Sequence, residues 1–275
     1  MVTELQQPPV SEVRAYWQAH PLGTLEATAQ PGSRAFFEWH DDVRWAEEGV
    51  FTEHLYEFDA HANERVLDIG CGIGWLVANF ARGGAKVCGL DLTEAAISLT
   101  RQRLALQGLD AELVTGNAEQ LPFPDNHFDY VTSAGVLHHT PDTAGAIREA
   151  IRVTKPGGRG MIALYYRHML LGRTLWPLTR AAVRLLMKRT PGRDDFGRVE
   201  TVDDLVRLYD GNRNPIGKAY SRPEIRALFA ECSALEAVET HFFPTRFLIA
   251  GRAPFWLRRA LDRLFGLIVY VQYRK

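Results

Sequence analysis

Short apolar runs alternate with longer amphipathic stretches from residue 65 onward. The apolar runs predict strands over 65–69, 86–90, 111–114, 128–133 and 159–164, and the intervening stretches predict helices over 74–82, 94–107 and from 140 to about 155. Short apolar strands alternating with helices are typical of a parallel sheet with helices on both faces. We therefore predict an α/β fold with a Rossmann-like, doubly wound sheet over residues 64–164, whose ligand-binding strand ends share one edge.

Residues 165–220 interrupt this alternation and are predicted to be a helical insertion after the fifth strand, forming a lid beside the ligand-binding edge. One helical stripe carries Leu171, Leu175, Leu178, Ala182 and Leu185, and the opposite side carries Arg173, Arg180, Arg184 and Lys188. The pattern favours a helix that docks by its apolar stripe and leaves the basic residues in solvent; a helix lying on a membrane surface is the alternative. Pro177 is expected to kink or split this helix.

The two ends of the chain flank the predicted core. Residues 1–63 are rich in aromatic side chains, predict helices over 13–18 and 34–58, and form either a plain cap or a lid over a ligand cavity. Residues 221–275 are assigned to the C-terminal part of the sheet. Ser221 and Glu224 form a capping box that predicts a helix over 222–231. A partly helical stretch over 252–265 lies between predicted strands at 235–243 and 266–273, the last of which returns as a hairpin partner.

Composition narrows the function classes. The chain has 275 residues, 46% of them hydrophobic, and a formal net charge of -1, so no global positive field indicates nucleic acid. Cys71, Cys88 and Cys232 are dispersed and lack metal-ligand spacing, so no metal site is expected. The N-terminus does not resemble a signal peptide, and no stretch is long and apolar enough to span a membrane. These features predict a cytoplasmic protein.

The first predicted strand runs directly into a glycine loop. Residues 66–74 read Val-Leu-Asp-Ile-Gly-Cys-Gly-Ile-Gly, and a helix is predicted to start behind them. This arrangement lets a ligand approach the backbone at a helix N-terminus, although a tight βα turn without a ligand is the alternative. The spacing is G-x-G-x-G, and Trp75 occupies the place where the dinucleotide fingerprint needs its third glycine.

Further candidate residues follow the next three strands. Asp91 ends the second strand, where its two carboxylate oxygens can accept ribose hydroxyl protons. Asn117 and Ala118 follow the third strand, and the fourth leads through small residues, including Ala134, into the pair His138-His139. The turn Lys155-Pro156-Gly157-Gly158 precedes the fifth strand.

This ordered set resembles the class I S-adenosylmethionine-dependent methyltransferases, in particular the small-molecule branch that includes ubiquinone and menaquinone biosynthesis enzymes. The resemblance covers about residues 64–165 and implies a seven-stranded sheet with S-adenosylmethionine as cofactor. It implies cofactor contacts from Asp68, Gly70, Cys71, Gly72, Gly74, Asp91, Leu92, Asn117, Ala118 and Ala134. Asn117 departs from the family, in which aspartate is common, but its amide can both accept from adenine and donate to it.

The resemblance also implies in-line methyl transfer to an O, C or N atom of a small, hydrophobic or aromatic metabolite. His138 is then the candidate base facing the acceptor, and His139 anchors the next helix. The predicted substrate contacts are Tyr16, Phe36, His138, Tyr165 and Tyr166. A non-catalytic, cofactor-binding sensor or partner subunit with the same fold is the alternative. Peripheral membrane contact stays open, and the oligomeric state is not predicted.

Overall fold

One mixed β-sheet organises the molecule. The structure, a computed structural model, describes residues 7–186, 194–211, 214–241 and 254–275. The strands are β1 Arg65–Ile69, β2 Lys86–Asp91, β3 Glu112–Thr115, β4 Phe128–Ala134, β5 Thr154–Tyr166, β6 Ala219–Tyr220, β7 Ala234–His241 and β8 Ile268–Arg274. Their order is β3-β2-β1-β4-β5-β8-β7, with β6 paired to the end of β5. β8 runs antiparallel between β5 and β7, so the predicted late hairpin is confirmed.

Helices pack on the sheet, and two of them precede its first strand. They are α1 Val10–Ala19, α2 Arg34–Tyr56, α3 Trp75–Arg82, α4 Glu94–Gln107, α5 Thr143–Val153, α6 Trp176–Leu186, α7 Val202–Tyr209, α8 Arg222–Leu228 and α9 Phe255–Phe265. The predicted capping box of Ser221 and Glu224 is present at α8. Within the described ranges, no helix combines the length and apolar character needed to cross a bilayer.

The helix after β4 begins later than predicted. Residues Leu137–His139 form a 3₁₀ turn, and the hydroxyl of Thr140 donates to the carbonyl of Leu137 at 2.7 Å. Asp142 then caps α5 by accepting from the backbone N–H of Gly145 at 2.8 Å. The start predicted at Thr140-Pro141 was therefore wrong, because the extra turn carries the chain further along the sheet edge.

Two apolar clusters pack on opposite faces of the sheet. Leu67 and Val131 belong to one, whereas their neighbours Val66 and Tyr130 belong to the other. Successive residues of a strand point to opposite faces, so the uninterrupted apolar runs fill both layers. This two-sided core fixes the ends of β1, β2 and β4, from which the candidate site is built.

The insertion helix α6 is oriented opposite to the prediction. Arg180 and Arg184 turn toward the fold and form ion pairs with Glu200, whereas Leu178 is 73% exposed and Leu185 is 79% exposed. Pro177 lies in the first turn of α6, where its missing N–H would have no intrahelical partner. The predicted segment is therefore split rather than kinked, because Leu171 lies in a separate 3₁₀ turn, Met169–Leu171. Lys188 lies outside the described residues.

Candidate functional site

A cleft opens at the carboxyl ends of β1, β2 and β4. It contains about 1040 Å³ not filled by protein atoms, part of it open to solvent. Loops after β1 to β4 form its floor, and α1 and α2 contribute Val13, Trp17, His40 and Arg44 to its wall. The sheet edge predicted to bind a ligand is therefore an open cleft that the N-terminal helices partly cover.

Nine of the ten predicted cofactor contacts line this cleft. They are Asp68, Gly70, Cys71, Gly72, Asp91, Leu92, Asn117, Ala118 and Ala134. Gly74 is the exception, because it has a left-handed φ of 77° at the start of α3 and packs against Thr100 behind the loop. The structure thus brings the predicted set together apart from Gly74, whereas their contacts with a cofactor stay a prediction.

The second strand holds the glycine loop in shape. The N–H groups of Gly70 and Cys71 donate to the carbonyl of Leu90 at 2.6 and 2.9 Å. Gly70 has a φ of 78°, and a Cβ atom there would lie 2.4 Å from the side chain of Val136. Only glycine fits this close approach between the loops after β1 and β4.

Asp91 both closes this loop and faces the cleft. Its Oδ2 accepts from the N–H of Gly72 at 3.0 Å, and its Oδ1 accepts from the N–H and hydroxyl of Thr93 at 2.9 and 3.0 Å. A carboxylate has roughly four acceptor positions, so a free position remains on Oδ2. The contact of Asp91 with ribose hydroxyls stays a prediction.

Asn117 also takes part in the turn directly after β3. Its Oδ1 accepts from the N–H of Glu119 at 3.1 Å. Oδ1 has a second lone pair and the side-chain NH₂ carries two donors, so the amide can still both accept and donate. Its contact with adenine stays a prediction.

Asp68 and Arg44 place opposite charges in the cleft. Asp68 is 2% exposed, and its Oδ1 has no hydrogen-bond partner. Burial raises the pKa of Asp68 to about 7; Arg44 opposes this shift and Asp91 adds to it. The guanidinium of Arg44 lies 4.4 Å from the centre of the Trp75 ring and pairs with Glu48 at 2.9 Å.

Sequence reasoning missed Arg44, although the spacing along α2 carried a signal. Phe36, Phe37, Phe51 and Leu55 are buried core residues of this helix, at helical intervals. Arg44 and Glu48 occupy positions on the same stripe, where charged side chains are unusual. Charged residues at core positions of this helix therefore mark a candidate functional position.

Of the two histidines after β4, the one that reaches the cleft is not the one that was predicted to face it. His139 lines the cleft, whereas His138 is not among its lining residues and is 1% exposed. The tight 3₁₀ turn points successive side chains in different directions, so only one of the pair reaches the cleft. Burial, with a further contribution from His139, lowers the pKa of His138 to about 4, so its imidazole is neutral at pH 7.

None of the other predicted substrate residues lines the cleft. Phe36 is fully buried in a cluster with Phe37 behind the glycine loop. Tyr165 and Tyr166 lie on opposite faces of β5: Tyr166 packs on the main core, and the hydroxyl of Tyr165 donates to Asp210 at 2.6 Å. Tyr16 lies edge-on to Trp17 at 5.1 Å, and Trp17 is the aromatic residue of α1 that reaches the cleft.

Comparison with known sequences identifies the central segment. A family model described as a methyltransferase domain matches residues 67–162. The demethylmenaquinone methyltransferase of Geobacillus kaustophilus is 36% identical over 129 residues, 46% of this chain and 50% of that protein. The Bacillus cereus protein of that name is 42% identical over 111 residues, 39% and 47% of the two chains. This chain spans about half the length of the curated relatives that it matches.

Comparison with solved structures supports the fold. A putative methyltransferase from Bacillus halodurans has a TM-score of 0.53 at 22% identity, covering 82% of this chain and 99% of its own. An S-adenosylmethionine-dependent methyltransferase from Mesorhizobium loti has the same score and identity, covering 78% and 92%. The [4+2]-cyclase SpnF also has a TM-score of 0.53, at 17% identity, covering 90% and 84%, so the fold by itself does not specify the reaction. The match of residues 67–162, together with the strand order, identifies this part of the chain as a class I S-adenosylmethionine-dependent methyltransferase domain.

Proposed function

We propose that this protein transfers a methyl group from S-adenosylmethionine to a small, hydrophobic, aromatic metabolite. The observation that carries the proposal is the cleft at the carboxyl end of the sheet, which holds Asp68, Arg44, Asp91 and Asn117 within one cavity. These side chains offer an anion, a cation, a hydroxyl acceptor and an amide donor.

The residues present fit the chemical groups of this cofactor. Asp68 is buried with an unpartnered carboxylate oxygen beside Arg44, so the pair suits the oppositely charged ammonium and carboxylate of an amino-acid group. The free acceptor position of Asp91 suits a ribose hydroxyl. The free NH₂ of Asn117 suits a ring nitrogen of adenine.

The bound cofactor supplies an electrophilic methyl group on a positively charged sulfur. The chain's own contribution is alignment and the exclusion of water, because an activated donor needs little further help. Val13 and Trp17 of α1 cover the cleft for that purpose. The predicted base His138 does not line the cleft, so the proposal does not assign proton removal to it.

Two features support an apolar acceptor. Val13, Trp17 and Leu22 place apolar surface in the cleft beside His139, and the ring centres of Trp17 and His139 are 5.4 Å apart. The curated relatives are named for demethylmenaquinone, which is an apolar aromatic compound. We infer an acceptor of that class.

The test has a binding arm and a turnover arm. Calorimetry with S-adenosylhomocysteine should detect binding to the purified chain, and Arg44→Met should weaken it, whereas the control Arg148→Met, on the exposed side of α5, should not. Absence of heat would refute the proposal. Methyl transfer is then assayed with demethylmenaquinone and with a polar catechol: transfer to the catechol alone would contradict the apolar acceptor, and binding without any transfer would favour the sensor alternative.

A further inference from the structure

A buried cluster of two histidines and one carboxylate joins the insertion to the core. His138 and His139 follow β4, and Asp210 ends α7 in the insertion. One ligand atom from each of the three lies within 4.8 Å of the others. The two imidazoles are at least nine-tenths buried, and the side chain of Asp210 is 23% exposed. A local sequence pattern does not predict this cluster, because Asp210 lies 71 residues after His139.

A backbone carbonyl determines which nitrogen of His139 carries its proton. Nδ1 lies 2.5 Å from the carbonyl oxygen of Ile216. A carbonyl can only accept, so this contact requires a proton on Nδ1. The amide nitrogen of Asn214 lies farther from the same atom, at 3.3 Å, and does not change that requirement. In the neutral imidazole, the lone pair is then on Nε2.

The Nε2 lone pair of His139 faces a carboxylate oxygen, and both atoms are hydrogen-bond acceptors. Nε2 lies 2.9 Å from Oδ2 of Asp210. Two acceptors at this distance need a positive charge between them, which is either a proton or a metal ion. Nε2 of His138 lies 3.7 Å from the same oxygen, too far for a hydrogen bond, and both ring nitrogens of His138 are buried without a hydrogen-bond partner.

A metal ion bonds to one atom of each of the three side chains, whereas a proton links only two of them. A proton on Nε2 of His139 would satisfy His139 and Asp210 and leave the nitrogens of His138 unpartnered. Metal–ligand bonds of about 2.0–2.2 Å at angles of 90–180° separate ligand atoms by about 2.9–4.2 Å. The distances of 2.9 and 3.7 Å lie within that range.

The surroundings of the cluster match those of metal ligands. A histidine ligand usually donates its other N–H to a carbonyl or carboxylate, as His139 does to Ile216. Asp210 is also held from its other side, since the hydroxyl of Tyr165 donates to Oδ1 at 2.6 Å. We propose that His138, His139 and Asp210 bind a divalent transition-metal ion.

The composition of the site narrows the class of ion. Two imidazoles and one carboxylate suit zinc, iron, cobalt or nickel rather than magnesium or calcium, which prefer oxygen ligands. Three protein ligands leave at least one coordination position for a ligand from outside the chain. His139 lines the cleft, so that position lies beside the proposed reaction site. The binding of the ion does not depend on methyl transfer and is measured separately.

A second cluster of the same composition provides a matched control. His54 and His241 each place Nε2 3.1 Å from one oxygen of Glu239, on α2 and β7. His54 is 48% exposed and Glu239 is 40% exposed, so water can satisfy these groups. His54→Gln removes a histidine from this surface cluster and leaves the buried one intact.

In the experiment, the metal-free full chain is titrated with Co²⁺ alone at neutral pH. The visible d–d absorption of the bound Co²⁺ monitors binding. We expect one tightly bound Co²⁺ in the wild-type chain. Asp210→Asn and His138→Gln should each weaken binding by at least about tenfold, and Tyr165→Phe by about tenfold. His54→Gln should leave the affinity unchanged. His138 has no hydrogen bonds to lose, so His138→Gln keeps the test valid if Asp210→Asn does not fold.

Three outcomes would overturn the proposal. No Co²⁺ binding by the wild-type chain would mean that the buried cluster is a protonated ion pair. Binding that is lost in His54→Gln and kept in Asp210→Asn would place the ion at the surface cluster. Unchanged binding in a folded His138→Gln chain would remove His138 from the site. Binding of Co²⁺ without any methyl transfer would leave the metal site in place and count only against the proposed function.

Discussion

Asp68 is a buried carboxyl group, and burial disfavours its ionised form. Its pKa rises from 3.8 to about 7, mainly through burial. Between these values the folded chain binds more protons than the unfolded chain, so the free energy of unfolding falls as the pH rises from about 4 to 7. Asp68→Asn removes this dependence. We expect the variant to gain stability relative to wild type across this window, by at most about 4 kcal/mol at pH 7.

Urea unfolding of both chains at several pH values between 4 and 7 measures this difference. His138 has a lowered pKa and gives the opposite slope, but it is present in both chains and cancels. Asp110→Asn, which alters an exposed acid, serves as the control and should follow wild type. A constant difference between wild type and Asp68→Asn across the window would contradict a raised pKa in the folded chain.

Asp91 is expected to bind the cofactor and to shape the glycine loop. Asp91→Ala should weaken the binding of S-adenosylhomocysteine by about 1–3 kcal/mol, because polar groups lose their partner. Thr93→Val removes one hydroxyl contact to the same carboxylate and leaves the acceptor position on Oδ2, so its effect should be smaller. Calorimetry measures both. Equal affinities for wild type and Asp91→Ala would exclude Asp91 from the cofactor site.

At the scale of single residues, the sequence located the floor of the cleft and not its wall. Asp68, Asp91 and Asn117 follow strands at short, fixed distances, and strand ends share an edge in a parallel sheet. Trp17 and Arg44 reach the cleft from helices that have no motif and are placed only by packing. Packing between residues that are far apart in the chain is difficult to predict from a local sequence pattern.

The elements of the insertion show where periodicity misleads. Leu171 is 4% exposed and packs with Phe196 and Leu205, whereas Leu185 on α6 is 79% exposed. Both leucines belong to the same apolar stripe in the sequence. Periodicity identifies the two faces of a helix but does not say which face packs against the protein. Arginine side chains can also make that contact, with their apolar stems and with an ion pair to an acid such as Glu200.

Leu185 tests the orientation of α6, and Leu171, in the 3₁₀ turn Met169–Leu171 before this helix, provides a buried reference. Leu171→Ala should lower the free energy of unfolding by about 2–5 kcal/mol, because it opens a cavity in a packed cluster. Leu185→Ala should change it by no more than about 0.5 kcal/mol, because the side chain already faces water. Chemical denaturation of the two variants measures both values. A large loss in Leu185→Ala would mean that α6 docks by its leucines, as the sequence alone predicted.

The strands from residue 65 to residue 134 lie close to their predicted positions, because each is short, apolar and bounded by turn residues. β5 is longer than predicted, because it includes the predicted turn Lys155-Pro156-Gly157-Gly158. Predicted and observed bounds for β1, β2, β4 and α4 differ by at most one residue. The two-sided burial of a parallel sheet makes such runs distinctive. The helices that flank the sheet lack this constraint, so their contacts with the core had to come from the structure.

For the whole molecule, the question is whether ligand binding in the cleft is coupled to the N-terminal helix. Contacts of α1 with the core include Val13 and Trp17 at the cleft and the side chain of Gln18, which accepts from the N–H of Ala95 at 3.3 Å. A ligand that fills the cleft adds contacts to α1 and none to α6. Hydrogen exchange of the α1 amides should therefore slow when S-adenosylhomocysteine binds.

The expected slowing of hydrogen exchange in α1 follows from mass action. At a ligand concentration about 100 times the dissociation constant, binding stabilises the bound form by about 2.7 kcal/mol, so exchange that requires α1 to leave the cleft should slow by up to about a hundredfold. Exchange in α6 provides the internal control and should not change. Trp17→Ala should reduce the protection of α1, because Trp17 connects that helix to the cleft wall and to the His139 ring. Equal exchange of α1 with and without ligand would show that α1 is a static cap rather than a lid.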